Sequence, residues 1–226
     1  MRVTLSFDNG PTPGVTERVL DELKARGIKA TFFVVGTRLL AAEGQALARR
    51  ARSEGHRIGN HTYSHTVPLG RCASGRAAVN EIRMNEVLIG DLAEAPPLFR
   101  PFGGGGNITP DLLHRDAADH LALQGYSCIL WNSIPRDFND PEGWVERGLA
   151  QCRSHSWTLT VLHDIPVGCA DRLPEFLDRL TAEGAEFEQE FPPDCVPLKA
   201  GRSEALFKEI VRAQSPPPAQ AARVSE

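Results

Sequence analysis

The 226-residue sequence has no long hydrophobic run, no excess of either charge, no closely spaced cysteine pair and no internal repeat. Each absence excludes something. The apolar stretch Ala30-Thr31-Phe32-Phe33-Val34-Val35 falls far short of the roughly 20 residues that a membrane-spanning helix requires. Lysine and arginine number 25 against 29 aspartates and glutamates, a net charge of −4 with no basic stripe. The electrostatic footprint of a nucleic-acid-binding protein is therefore missing. The five cysteines, Cys72, Cys128, Cys152, Cys169 and Cys195, are widely spaced, form no C-x-x-C pair and cannot all pair within one chain. They are expected to be reduced thiols, some of them serving as small buried hydrophobes. Met1 runs almost directly into a strand pattern, without the apolar segment of a secretory signal, so a cytoplasmic location is the expectation.

What is present is the composition of an ordinary globular protein, 41% hydrophobic and 24% charged. Val3, Leu5 and Phe7 alternate, which predicts a strand with one face on a core. Thr12-Pro13 offers a helix cap and a first-turn proline, with Val15, Val19, Leu20 and Leu23 at helical spacing up to Gly27. Ala30 to Val35 reads as a strand covered on both faces. A helix is expected over about 39–54, a short strand at Arg57-Ile58-Gly59, and a long helix over 77–92 with Val79, Ile82 and Ile89 inward. Further strands are predicted at Leu98-Phe99, Cys128 to Trp131, Leu159 to Leu162 and around Phe187. Helical runs separate them at 110–123, 143–152 and 172–182. Repeated strand-then-helix units predict a parallel sheet with helices outside, and about seven units suit a barrel better than a small open sheet. The pattern fades after about residue 197. Ala205 to Ala213 could form a helix, and Ser215 to Glu226 is a proline- and alanine-biased tail expected to be mobile.

In parallel α/β folds, ligands gather at the carboxyl ends of strands. Five unusual segments fall there: Ser6-Phe7-Asp8-Asn9-Gly10-Pro11, Gly59-Asn60-His61-Thr62-Tyr63-Ser64-His65, Phe99-Arg100-Pro101-Phe102 with Gly103 to Gly106, Asn132-Ser133-Ile134-Pro135-Arg136-Asp137-Phe138, and His163-Asp164. Singly each has a plain reading: a tight turn, a solvated helical face, a surface ion pair, a flexible loop, a structural hydrogen bond. Together they are a set of parts for metal-assisted amide or ester hydrolysis. Two histidines four apart, on adjacent helical turns, can meet one Zn²⁺ beside an oxygen ligand. Asp8 is a base for activating water and His163 an acid for a leaving amine. Arg100 can orient the base, and a main-chain N–H of the glycine run can face an oxyanion.

These segments resemble, in order, the five motifs of the polysaccharide deacetylase family, the NodB homology domain of carbohydrate esterase family four. The first motif, T-F-D-D-G-P, corresponds to Ser6 through Pro11. The second, H-[ST]-x-x-H, is matched in full by His61 through His65 and preceded by the typical Glu54-Gly55-His56-Arg57-Ile58-Gly59-Asn60. R-P-P-Y-G corresponds to Arg100 through Gly104, D-x-x-D-W to Ile134 through Phe138, and L-x-H to Val161-Leu162-His163. The resemblance covers about residues 2–190. It implies a single-domain, distorted (β/α)₇ barrel over residues 1–197, followed by a C-terminal extension over 198–226.

The resemblance also implies hydrolytic removal of acetyl groups from an N-acetylated carbohydrate, of chito-oligosaccharide or peptidoglycan type. Asp8 would be the catalytic base, Arg100 its orienting partner, His163 the acid and Asp137 the residue that tunes it. His61, His65 and Asn9 would hold a divalent metal, most often zinc. Gly103 would complete the oxyanion hole with its N–H, and Phe138 and Val161 would line the acetyl pocket; Trp131, from the burial habits of tryptophan, is expected as a wall or core residue near the site. Four positions depart from the family pattern. Asn9 replaces a metal-binding aspartate and brings no charge, which implies weaker metal binding, although some peptidoglycan deacetylases of the family carry asparagine there. Ile134 replaces an acid and so removes one support for Arg100 or its loop. Phe138 replaces tryptophan and Val161 replaces leucine. Two other readings stand beside the deacetylase: a catalytically silenced, sugar-binding barrel and a hydrolase of a small non-peptide amide.

Overall fold

In the computed structural model, which describes residues 1–213, the first strand β1 (Arg2–Asp8) is buried on both faces rather than one. The alternation is chemical. Val3, Leu5 and Phe7 point outward into an apolar cluster with Val19, Leu20, Leu23 and Phe176, where each large side chain contributes roughly 1.5–3 kcal/mol by leaving water. Thr4, Ser6 and Asp8 point the other way, into the barrel. There Thr4 donates to the Glu190 carbonyl and Ser6 to that of Thr160.

The same division repeats around the sheet. The strands are β2 (Thr31–Val34), β3 (Arg57–Asn60), β4 (Leu98–Phe99), β5 (Ser127–Cys128), β6 (Trp157–His163) and β7 (Glu186–Glu188), with the short pair β8 (Leu198–Lys199) and β9 (Arg202–Ser203). Their order is β6-β1-β2-β3-β4-β5-β8-β9, and β7 lies on the first half of β1. All pairings among β1 to β7 are parallel, and β8 joins β5 antiparallel. Phe32 and Val34 join the outer cluster, whereas Phe33 packs inside with Leu98, Ile129, Leu159 and Cys195. Between β5 and β6 the ring of this distorted (β/α)₇ barrel closes through the isolated Ser133–Thr160 bridge.

The covering helices are α1 (Thr16–Ala25), α2 (Ala42–Ser53), α3 (Gly75–Ile89), α4 (Arg115–Leu123), α5 (Trp144–Ser154) and α6 (Leu173–Ala182). None of the described helices is long and apolar enough to cross a membrane. Several boundaries differ from the sequence reading for local reasons. Helix α1 begins at Thr16, not Thr12, because Gly14 takes φ +82° and the Thr12 N–H is satisfied by the Thr16 hydroxyl at 2.7 Å. Residues 110–123 split into a 3₁₀ turn and α4, since Leu113 between them is extended and exchanges main-chain hydrogen bonds with Ile210 and Arg212. Strand β5 ends at Cys128, although Ile129 still bonds the Phe99 carbonyl. On α3 the inward positions are Ala78, Ile82, Asn85 and Ile89, with Val79 half-buried. Past residue 197 the chain stays on the sheet: Leu198 pairs with Cys128, and a 3₁₀ segment at Ala205–Ile210 buries Phe207 and Ile210. The proline-rich segment from Ser215 lies outside the described residues. All five cysteines are free thiols, four of them buried.

Candidate active site

Asp8 and His163 end neighbouring strands and are direct register partners of β1 and β6, with both side chains inside the barrel mouth. Two segments far apart in sequence thus bring a carboxylate and an imidazole to one rim. The chain leaves β1 through Asn9, which holds φ +77°. Gly10 follows where no other residue fits, because a Cβ there would stand 2.0 Å from the Asp164 carboxylate. Asp164 is buried, accepts the Thr16 hydroxyl at 2.6 Å and has its other oxygen unpartnered. Burial pushes its pKa up to about 7.

Arg100, at the end of β4, is completely buried. A buried guanidinium is tolerable only with its donors satisfied. Here Nη1 donates to Asp8 Oδ1 at 2.9 Å and to Ser6 Oγ at 2.7 Å. Nε and Nη2 donate to the carbonyls of Ile129 and Leu130. The group lies 4.1 Å over the Phe33 ring. Ile134 takes no part in this support, so with the apolar replacement in the fourth motif Arg100 still makes four hydrogen bonds. Ile134 packs instead against Gly106, where a Cβ would meet its Cδ1 at 2.2 Å.

The acid side is equally constrained. The buried Asp137 carboxylate accepts the Nδ1–H of His163 at 2.8 Å and its main-chain N–H at 2.7 Å. Nε2 is left as the ring nitrogen for a substrate, and Phe138 stands edge-on to the ring at 4.8 Å. Burial by itself would lower the His163 pKa, but the Asp137 hydrogen bond and charge, with Asp8 and Asp164, raise it. Asp8 shows the converse. Burial would raise its pKa, but the Arg100 guanidinium, by its charge and hydrogen bond, together with the charge of His163, holds it below the usual carboxylate range. The two shifts run in the directions that favour an ionised base beside a protonated acid.

His61 and His65 lie on the loop after β3, not on a helix, and they meet because Thr62 and His65 take φ +67° and +53°. Their ring centroids are 4.9 Å apart, and His65 lies against Phe102. His61 Nδ1 donates to the Arg100 carbonyl at 2.8 Å, leaving Nε2 unprotonated, 3.6 Å from Asp8 Oδ2. Burial lowers the pKa of both rings, that of His65 to about 3 with help from His61, so both are neutral and carry lone pairs.

Helix α3 supplies two residues that hold this loop and that sequence reading missed. Asn85, fully buried, reaches the carbonyls of Val34 at 2.8 Å and Thr62 at 2.9 Å and also contacts Asn60 Oδ1. Glu81 accepts the Ser64 N–H at 2.8 Å and hydroxyl at 2.9 Å. The legible signal was a polar Asn85 on the helix's inward apolar stripe.

Among the described residues, no three His, Cys, Asp or Glu side chains converge as a metal site. The Asn9 amide lines the same pocket as the two imidazoles. Asn9 Oδ1 is buried without any hydrogen-bond partner, and an orphaned oxygen next to two neutral imidazoles fits a borderline divalent cation such as zinc.

These groups surround a cavity of about 280 Å³. Asp8, Asn9, His61, His65 and His163 form its polar side, and Trp131, Ile134, Phe138, Val161 and Ile165 its apolar side. Gly103 lines the same cavity with extended backbone, and a side chain there would collide with Leu112 at 2.7 Å. Trp131 is fixed by its indole N–H on the Gly106 carbonyl at 2.9 Å. Asp8, Asn9, His61, His65, Gly103, Trp131, Phe138, Val161 and His163 thus line one pocket, while Arg100 and Asp137 stand buried behind Asp8 and His163.

A polysaccharide deacetylase family model matches residues 1–122. A peptidoglycan-N-acetylglucosamine deacetylase of Bacillus cereus is 30% identical over 197 residues, covering 82% of this chain and 84% of that protein. The peptidoglycan-N-acetylglucosamine deacetylase PgdA of Listeria monocytogenes is 29% identical over 187 residues; the match takes in 82% of this chain but only 37% of that longer relative. Among solved structures, the peptidoglycan deacetylase PdaC from Bacillus subtilis superposes with a TM-score of 0.65 at 29% identity, covering 82% of this chain and 86% of that one. A family 4 acetyl xylan esterase from Clostridium thermocellum, solved in complex with a cobalt ion, gives 0.64 at 28% identity, with 84% and 88% covered.

Proposed function

The chain belongs to the polysaccharide deacetylase family, and from that premise we propose that it hydrolyses the acetamido group of an N-acetylated carbohydrate to acetate and a free amine. The observation that carries the reading is the placing of Asp8 and His163 side by side at the rim of a pocket whose apolar wall is Trp131, Ile134, Phe138, Val161 and Ile165. Arg100 fixes one Asp8 oxygen by a charge-assisted hydrogen bond. The other oxygen takes a proton from the attacking water as the water adds to the acetyl carbon. The acetyl methyl rests on Trp131, Phe138 and Val161, and the developing oxyanion is assigned to the Gly103 N–H. His163 Nε2 gives its proton to the amine as the carbon–nitrogen bond breaks, and Asp137 stabilises the imidazolium that precedes this transfer.

Asn9, His61 and His65 would hold a divalent cation, zinc by donor type. When bound, the cation supplies positive charge that polarises the acetyl oxygen. With an amide in place of a carboxylate the donor set is uncharged, so we infer a weaker site. That same neutrality leaves the cation's charge less quenched toward substrate. A silenced barrel is the less favoured reading, because base, acid and both orienting partners are all in place.

The test is acetate release from N-acetylglucosamine oligomers and peptidoglycan fragments, with and without added zinc, for the native protein, Asp8→Ala and His163→Ala. Release that either substitution abolishes is expected. No acetate from any acetylated glycan would overturn the proposal.

A further inference from the structure

The glycine loop and its props have a second side. Gly105, Gly106, Trp131 and Ile134 wall the catalytic pocket, and the same four residues also wall a larger cleft of about 740 Å³. Most polar groups in that cleft are committed elsewhere. Arg147 is bound to Asp140 and to the Pro135 carbonyl. Gln151 is held between the Ser133 hydroxyl and the Ile134 carbonyl. Arg136 differs: it is exposed and makes no side-chain hydrogen bond or ion pair among the described residues. With Asp140 matched to Arg147, Arg136 leaves the cleft one uncompensated positive charge.

The backbone at Arg136 is also unusual. It holds φ +65°, a conformation that glycine adopts freely and an L-side chain resists. This left-handed residue turns the chain so that the neighbouring Asp137 faces inward to His163 while Arg136 faces the cleft. The turn by itself would be better served by glycine. Strain of this kind persists where the side chain has a use.

We propose that Arg136 is the anion-recognising residue of a second glycan subsite, binding a carboxylate on the sugar next to the one being deacetylated or on a substituent of it. The occupant rests on the deacetylase reading, while the charge preference rests on Arg136. A guanidinium reads a carboxylate through two parallel N–H donors, and a neutral sugar hydroxyl gives it no such partner.

The test is calorimetric binding of three probes of equal sugar length. These are a neutral N-acetylglucosamine oligomer, an oligomer alternating N-acetylglucosamine with N-acetylmuramic acid, and the latter carrying its peptide. Native protein is compared with Arg136→Gly, Arg136→Gln and Arg136→Lys, and acetate release is measured in parallel. The expected result is a roughly tenfold fall in the acidic-over-neutral affinity ratio in the Gly and Gln variants, partial retention in Lys, and loss of the preference at high salt. Arg136→Gly is expected to unfold no earlier than the native protein, since its backbone strain is relieved. A preference present without the peptide assigns the carboxylate to the sugar, and one that needs the peptide assigns it to the substituent. An unchanged ratio in Gly and Gln, or native protein that binds acidic and neutral probes alike, overturns the subsite. An Arg136-dependent ratio without acetate release would uphold the subsite while refuting the deacetylase. Normal acetate release with an unchanged ratio would do the reverse.

Discussion

Asp8 and His163 face each other as register partners at the ends of two adjacent parallel strands, and each stabilises the charged form of the other. A base that must stay ionised and an acid that must stay protonated normally prefer opposite pH ranges. Placing them on neighbouring strands, with Arg100 behind one and Asp137 behind the other, widens the interval in which both are correct.

Asp137→Asn tests the acid half. The substitution removes the charge that raises the His163 pKa and leaves burial, which lowers it. The basic limb of the kcat/KM profile should therefore move to lower pH, with kcat reduced about 10²- to 10⁴-fold, the usual contribution of a general acid. An unmoved basic limb would assign that limb to another group.

Asn9→Asp tests the metal reading. One added negative charge at contact distance contributes upwards of about 1 kcal/mol even in bulk water, so zinc should bind at least about fivefold more tightly in a chelator competition. Unchanged or weaker affinity would mean that Asn9 is not a ligand.

The loop that carries both histidines depends on α3. Asn85→Ala or Glu81→Ala should weaken zinc binding by roughly 10- to 100-fold, the range typical of residues that orient metal ligands. Competition titration reads this without any turnover assay, and native affinity in both variants would show the loop to be held otherwise.

His56 governs a pH effect on stability. Its ring accepts the Ala30 N–H at 3.1 Å, its Nε2 is buried without a partner, and burial, with Lys29 next, lowers its pKa to about 4. The folded pKa lies below the unfolded value of about 6.5, so the unfolded chain takes up the proton first as the pH falls. This contribution is whole above about pH 6.5, is lost progressively toward pH 4 and levels off below that. Urea midpoints measured in chelator at pH 7 and pH 5 should fall less in His56→Gln than in the native protein. Equal falls would exclude His56 as the source.

Much of the site was legible before any coordinates. Asp8, His61, His65, Arg100, Asp137 and His163 each stood in a short segment at a predicted strand end, and that position in a parallel sheet is enough to bring them to one rim. Asn85 left one mark, a polar residue on the inward stripe of α3, but what it holds was not legible, and Glu81 left none, because a polar residue beside that stripe reads the same whether it faces water or a loop packed above it. Ser6 was seen only as a motif letter, yet it supplies the acceptor that frees Arg100 from any need of an acid at position 134. Helix starts were misread where Gly14 and the extended Leu113 interrupted an otherwise helical pattern.

The sequence by itself determined the alternation of strand and helix, the chemistry of the six groups and the loss of charge at Asn9, all of which depend on residue type and spacing along the chain. Only the tertiary structure decided that the alternation in β1 separates an outer core from a polar interior, that the histidine pair sits on a loop, and that Arg136 looks into a cleft its neighbour Asp137 does not reach. Those outcomes turn on which surfaces meet across long sequence separations and on backbone angles of single residues, and neither is encoded in a local pattern.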